Sequence, residues 1–200
     1  RMQVKTLETN KSTQALNAAK KNHVLPEETM TRATVINENP IIVKIDDFMS
    51  PEDCKSLIDT AQNSFVPSSI QNMGNKMNHR NSKTAYLDNN KIPFLISKLE
   101  KVSGIDKSYF ENLQVTRYDP GTYYKHHCDA DVSFNDHPRG QRILTAVIYL
   151  NTPNVLNITQ SCTHFIDIKK AIRPKQGKLV MFTPADLNGN IPVSYTHLRA

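Results

Sequence analysis

The chain lacks any closely spaced cysteine pair. Cys54, Cys128 and Cys162 are odd in number and far apart, which excludes a disulfide framework and a zinc ribbon and points mildly to a reducing compartment. It also lacks a long apolar run. The longest, ILTAVIYL from Ile143 to Leu150, suits a buried strand and is far too short to span a bilayer, so no membrane segment is expected in the visible chain. Although the net charge is +6 and the pI is near 9.2, the lysines and arginines are scattered, and no dense basic run interleaves with aromatics. Nucleic acid is therefore not an expected partner. No HExxH pattern is present, which removes one familiar route to a zinc hydrolase. The chain opens at Arg1 rather than methionine. A leader upstream stays open, and the compartment is left between cytoplasm and endoplasmic reticulum lumen.

What is present suffices for one domain of 200 residues with a polar extension. Residues 1–38, rich in Lys, Asn, Thr and Glu, hold no steady apolar period and are expected as a tail or linker, with the domain over 39–200. Ile41 to Ile45 predicts a β-branched strand. A helix should follow, with Ser50 as its cap, Pro51 in its first turn and Asp53 completing a capping box. Leu57, Ile58 and Ala61 give that helix its apolar face. Gln71 to Ser82 is expected as a surface loop. IPFLISKLEKVSG alternates at helical spacing and stops at Gly104. LQVTRY, RILTAVIYL, THFIDI and KLVMFTP then predict strands. Helices followed by strands point to an α+β fold, the strands forming a barrel or sandwich.

The chemistry concentrates in RYDPGTYYKHHCDAD, Arg117 to Asp131. On a strand, residues i and i+2 share a face, so His127 and Asp129 would point together while His126 and Cys128 point away. One imidazole and one carboxylate, joined by a second imidazole, make the donor set of non-haem iron(II) oxygenases. A polar loop with no metal is the competing interpretation of the same spacing.

The series NPIIVKIDDFMSPEDCKSLI, RNSKTAYL, LQVTRYDPGTYYKHHCD, GQRILTAVIYLN, THFIDI and IRPKQGKLVMFTPADLNGN resembles, in order and spacing, the prolyl 4-hydroxylase family of iron(II)- and 2-oxoglutarate-dependent dioxygenases. The resemblance runs from about Asn39 to Asn190 and implies a double-stranded β-helix (jelly-roll) core with flanking N-terminal helices. It implies iron(II), with 2-oxoglutarate and dioxygen as cosubstrates and ascorbate as reductant. The implied reaction hydroxylates prolyl residues of a peptide or protein, converting 2-oxoglutarate to succinate and carbon dioxide. Carried over by position, His127 and Asp129 are implied as metal ligands, and His197, at about the distance of the family's second histidine, as the third. Tyr118 and Thr163 are implied at the cosubstrate, Tyr124 and Arg142 at the peptide groove, and Arg80 and Ser82 on a mobile loop covering that groove.

The chain also departs from the family. Gln160, Ser161 and Cys162 precede Thr163 where the family has Gly-Gly-Glu. The ending PVSYTHLRA breaks the pattern and resembles read-through of a sequencing adapter, so residues 192–200 are expected to be foreign to a domain that is incomplete at its C-terminus. A basic residue for the far carboxylate of 2-oxoglutarate is expected beyond Ala200. Without the resemblance, Tyr118 and Tyr124 read equally as half-buried strand aromatics, Arg142 as a barrel-rim ion-pair partner and Arg80 as a solvated loop charge. Two rival functions share the residues: a zinc hydrolase, and a binding module that kept the barrel and lost catalysis.

Overall fold

A computed structural model describes residues 2–9, 25–38, 40–68, 80–125, 127–130, 140–154 and 161–184, with only the backbone described for 4–9. The strands are β1 (Met2–Thr9), β2 (Thr34–Glu38), β3 (Ile41–Ile45), β4 (Val66–Pro67), β5 (Lys83–Leu87), β6 (Leu113–Arg117), β7 (Arg142–Tyr149), β8 (Thr163–Phe165), β9 (Lys170–Ile172) and β10 (Leu179–Phe182). The helices are α1 (Glu27–Arg32), α2 (Pro51–Ala61) and α3 (Pro93–Ser103). The mixture is α+β, as expected. Eight strands form one sheet in the order β2-β3-β10-β7-β1-β6-β5-β4, and β8 pairs with β9 in a second. Every pairing is antiparallel.

The large sheet is buried on both faces. Along β7, Leu144, Ala146 and Ile148 join Val43, Ile45, Val115, Leu179 and Met181 in a core that also takes Leu57 of α2 and Leu95 and Leu99 of α3. Val147 and Tyr149 point the other way, into a second cluster with Ile42, Val180, Phe182 and, from the small sheet, Phe165 and Ile172. Phe165 meets Phe182 edge to face, with centroids 5.2 Å apart. A strand buried on both faces needs apolar residues at every position, which is why Ile143 to Leu150 reads as a continuous run.

This second face changes character across the sheet. Tyr149, Gln3, Thr116 and Thr84 lie opposite one another on neighbouring strands β7, β1, β6 and β5, so their side chains share that face. All four are buried. Half of the inner face is thus hydrocarbon and half is hydroxyl and amide, and the chemistry collects at the polar half.

The two helix expectations hold. Ser50 Oγ accepts from the Asp53 amide at 3.0 Å, a cap worth about 1 kcal/mol. Asp53 does not close the box, because its carboxylate instead accepts from Lys98 of α3 at 3.2 Å. Gly104 ends α3 in the left-handed region at φ 70°. The predicted strands appear as β3, β6, β7, β8 and β10. No helix among the described residues is long and apolar enough to cross a membrane, and all three cysteines are free thiols.

The tail expected over residues 1–38 is corrected. Met2–Thr9 enters the sheet as β1, bonded to β6 on one side and β7 on the other, and residues 27–38 supply α1 and β2. Backbone N–H and C=O groups pair whatever the side chains, so a polar segment offered two open strand edges becomes a strand. Side-chain periodicity carries no trace of that opportunity. Of the loop expected over Gln71 to Ser82, residues 71–79 lie outside the described residues.

Gly177 sets the start of β10. It sits at φ 79°, its amide donates to the Tyr149 carbonyl at 2.8 Å, and its carbonyl accepts from the Met49 amide at 3.0 Å. A Cβ there would stand 2.2 Å from the Met49 carbonyl oxygen. Gly177→Ala should therefore destabilise the fold by roughly 2 kcal/mol or more, from left-handed strain and a backbone clash together. Chemical denaturation reads the loss directly, and an unchanged midpoint would show that the turn has room to move.

Candidate functional site

His127 and Asp129 come together on the polar half of the inner face. Asp129 is buried, with 3% of its side chain exposed, and its Oδ1 lies 3.4 Å from His127 Nε2. The route differs from the one the sequence suggested, since residues 127–130 are irregular backbone rather than a strand. The pairing is made by anchors on both sides. An isolated bridge joins Tyr124 to Arg80 just before the pair, and β7 holds Asp129 just after it. His126 lies outside the described residues. The Cys128 thiol is directed to the Pro184 carbonyl at 3.8 Å, consistent with a packing role.

Two residues of β7 fix Asp129. Thr145, fully buried, donates from Oγ1 to Asp129 Oδ2 at 2.9 Å. Arg142 donates from Nη1 to the Asp129 main-chain carbonyl at 3.2 Å. Its guanidinium also forks onto Glu111, Nε to Oε1 at 2.8 Å and Nη2 to Oε2 at 3.2 Å. Each partner of that ion pair is 17% exposed. Sequence reasoning missed Thr145 and Glu111. The only trace of Thr145 is a lone polar residue in the middle of ILTAVIYL, and Glu111 carries no local signal.

The imidazole of His127 is also constrained. Its Nδ1 is 2.8 Å from the Lys125 carbonyl, and because a carbonyl only accepts, Nδ1 carries the hydrogen. In the neutral ring Nε2 then holds the lone pair, and it faces a carboxylate oxygen. Two electron-rich atoms at that range repel unless a proton or a cation lies between them. Their 3.4 Å separation is less than two metal–ligand bonds of about 2.1 Å end to end, so one ion can touch both. A histidine whose second ring nitrogen is tied to a backbone carbonyl is the usual arrangement around a bound metal. The two residues fit a divalent cation on donor chemistry and reach. Among the described residues no set of three histidine, cysteine or carboxylate donors gathers at one point. His197 lies outside them.

Tyr124 stacks on the His127 ring, centroids 3.5 Å apart and planes 15° from parallel. Burial, with the Asp129 carboxylate adding to it, pushes its phenol up to about 12, so it remains a neutral donor. The Arg80 guanidinium carbon is 4.7 Å from the same ring's centroid, and its Nε donates to Ser82 Oγ at 2.8 Å. Arg80 and Ser82 are thus tied to the sheet. Tyr118, one residue beyond β6, is buried on the inner-face side of the strand alternation. Thr163 Oγ1 lies 2.6 Å from the Tyr149 hydroxyl, both groups buried, which places it on the wall formed by the small sheet. Gln160 lies outside the described residues.

The chain is similar to known proteins in both sequence and fold. The sequence profile of the 2OG-Fe(II) oxygenase superfamily matches residues 113–197. Prolyl 4-hydroxylase 1 of Arabidopsis thaliana is 31% identical over 175 residues, covering 78% of this chain. The chain spans 62% of the length of that protein and of a mimivirus relative. Among solved structures, the viral collagen prolyl hydroxylase of Paramecium Bursaria Chlorella virus-1 in complex with 2OG superposes with a TM-score of 0.58 at 29% identity, over 78% of this chain and 85% of that one. A Pseudomonas putida prolyl-4-hydroxylase superposes at 0.51 and 17% identity, over 79% and 88%, and speaks for the fold alone. Sequence pattern, inner-face geometry and relatives converge: the chain belongs to the prolyl 4-hydroxylase family of 2OG-Fe(II) oxygenases.

Proposed function

We propose that this protein hydroxylates prolyl residues in a peptide or protein, using iron(II), 2-oxoglutarate and dioxygen. The observation that carries the proposal is the facing of His127 Nε2 and Asp129 Oδ1 at 3.4 Å, inside a family whose members share this chemistry. The large sheet and the β8–β9 pair are taken as the two walls of a double-stranded β-helix with the site between them. Bound iron supplies the oxidation, in which one oxygen atom enters the substrate C–H bond and the other enters succinate as 2-oxoglutarate loses carbon dioxide. Ascorbate is proposed as the reductant that keeps the metal ferrous.

The chain's own residues position and insulate. His127 and Asp129 would hold the metal from one side, with His197 proposed as a third ligand. Thr145 engages Oδ2 of Asp129 and so leaves Oδ1 for the metal, while Arg142 and Glu111 keep the Asp129 backbone from drifting. Tyr118 is proposed to donate its phenolic hydrogen to 2-oxoglutarate, and Thr163 to line the same pocket. The peptide groove is proposed to pass Tyr124, Arg80, Ser82 and Arg142. The apolar half of the inner face, with Val147, Val180 and Phe182, excludes water from one flank, which strengthens every polar contact in the site.

Three outcomes test this account. Incubated with iron(II), 2-oxoglutarate and proline-rich peptides, the full-length protein should form succinate, and Asp129→Ala should abolish it. Succinate formation by the folded variant would remove Asp129 from the metal site. Thr145→Val removes the hydroxyl without changing shape, and manganese(II) affinity measured by calorimetry should fall about 10–100-fold, with Thr145→Ser restoring most of it. Tyr118→Phe removes one charge-assisted hydrogen bond of roughly 1.5–3 kcal/mol, so 2-oxoglutarate affinity should drop about tenfold or more. Equal affinities would make Tyr118 a packing residue only.

A further inference from the structure

β1 is the first strand of the chain, yet it stands in the middle of the large sheet. Among the described residues β6 and β7 are joined only through it, so β1 holds two groups of strands together. One group, β2-β3-β10-β7, carries Thr145 and Arg142, both bonded to Asp129. The other, β6-β5-β4, carries Thr116 and Thr84, both bonded to Arg80. The start of β1 is pinned, because the Met2 amide donates to Asn151 Oδ1 and the Met2 carbonyl accepts from the Leu150 amide at 2.9 Å. The next residue is Gln3, which lies opposite Tyr149 of β7 on one side and Thr116 of β6 on the other and is 3% exposed.

A strand that pairs through its backbone does not need a buried carboxamide. Valine or isoleucine at this position would pair as well and bury without a polar group to satisfy. The amide has a use in what stands beside it. The Tyr149 hydroxyl lies 2.6 Å from Thr163 Oγ1, and Thr116 Oγ1 accepts from Arg80 Nη2 at 3.3 Å. Because arginine only donates, Thr116 keeps its own hydroxyl hydrogen to give, and a carboxamide offers an acceptor to one neighbour and donors to another. Directly opposite residues on one face stand about 5 Å apart at Cβ, within reach of that group. We propose that Gln3 is a positioning residue of the site: its amide bridges the two groups of strands and fixes the Thr163 wall relative to Arg80. What it positions rests on the oxygenase function proposed above; the bridge itself does not.

The bridge is tested in metal-free protein with chelator present. Gln3→Met keeps the length of the side chain and removes the amide, and Thr116→Val removes the facing hydroxyl. By chemical denaturation the double variant should be less destabilised than the two single variants added together, since each single variant loses the same bond. Gln3→Leu takes the place of Gln3→Met should the latter not fold. Strict additivity overturns the bridge. Calorimetry on the full-length protein then tests positioning. In Gln3→Met, manganese(II) affinity should stay within about twofold, because Asp129 is held from β7, while affinities for 2-oxoglutarate and for a proline-rich peptide should fall about three- to tenfold. Gln3→Asn, with the amide on a shorter stem, should recover part of that loss. A parent that binds neither 2-oxoglutarate nor peptide removes the oxygenase function, and the positioning role with it. A parent that binds both, with Gln3→Met binding them equally well or losing manganese(II) to the same degree, leaves Gln3 a structural residue and overturns the proposal.

Discussion

A carboxylate sealed from water must be compensated, and the site is organised around that requirement at Asp129. With its side chain 3% exposed, an unpaired charge there would cost several kcal/mol. One oxygen is answered by Thr145 at 2.9 Å. The other faces a histidine nitrogen whose own hydrogen-bond geometry turns a lone pair towards it. A divalent cation between the two, as proposed, would convert this repulsive contact into a favourable one. The same constraint explains why Arg142 reaches the Asp129 carbonyl while Glu111 neutralises it: side chain and main chain of one residue are held from a single strand.

That strand, β7, works as a ruler because it is packed on both sides. Leu144, Ala146 and Ile148 lock it to the helices, and Val147 and Tyr149 lock it to the small sheet. Thr145 and Arg142 inherit that rigidity. The polar row of Tyr149, Gln3, Thr116 and Thr84 then continues across the inner face to Arg80. Chemistry and core therefore share one sheet, divided by the strand at which the side chains turn from hydrocarbon to hydroxyl.

Much of this is legible in the chain itself. Periodic apolar faces mark α2 and α3, and short β-branched or continuous apolar runs bounded by turn residues mark β3, β6, β7, β8 and β10. The His-x-Asp pair is legible as well, although by a different geometry from the strand that suggested it. Two things are not. β1 rests on backbone pairing with β6 and β7, which leaves no periodic side-chain mark in MQVKTLET. The partners of Asp129 come from residues 16 and 13 positions away, and Thr145 is hidden in an apolar run where a single hydroxyl looks incidental. The ion pair of Arg142 with Glu111 is equally hidden, since Glu111 lies 31 positions away with no local signal.

The central claim is that one divalent ion sits between His127 and Asp129. The most direct measurement is anomalous diffraction from crystals grown with manganese(II). The account predicts a single strong peak on the inner face within bonding distance of both His127 Nε2 and Asp129 Oδ1, with Thr145 Oγ1 still on Oδ2. A peak bonded to other residues, or a His127–Asp129 pair that keeps its direct contact at saturating metal, would contradict it.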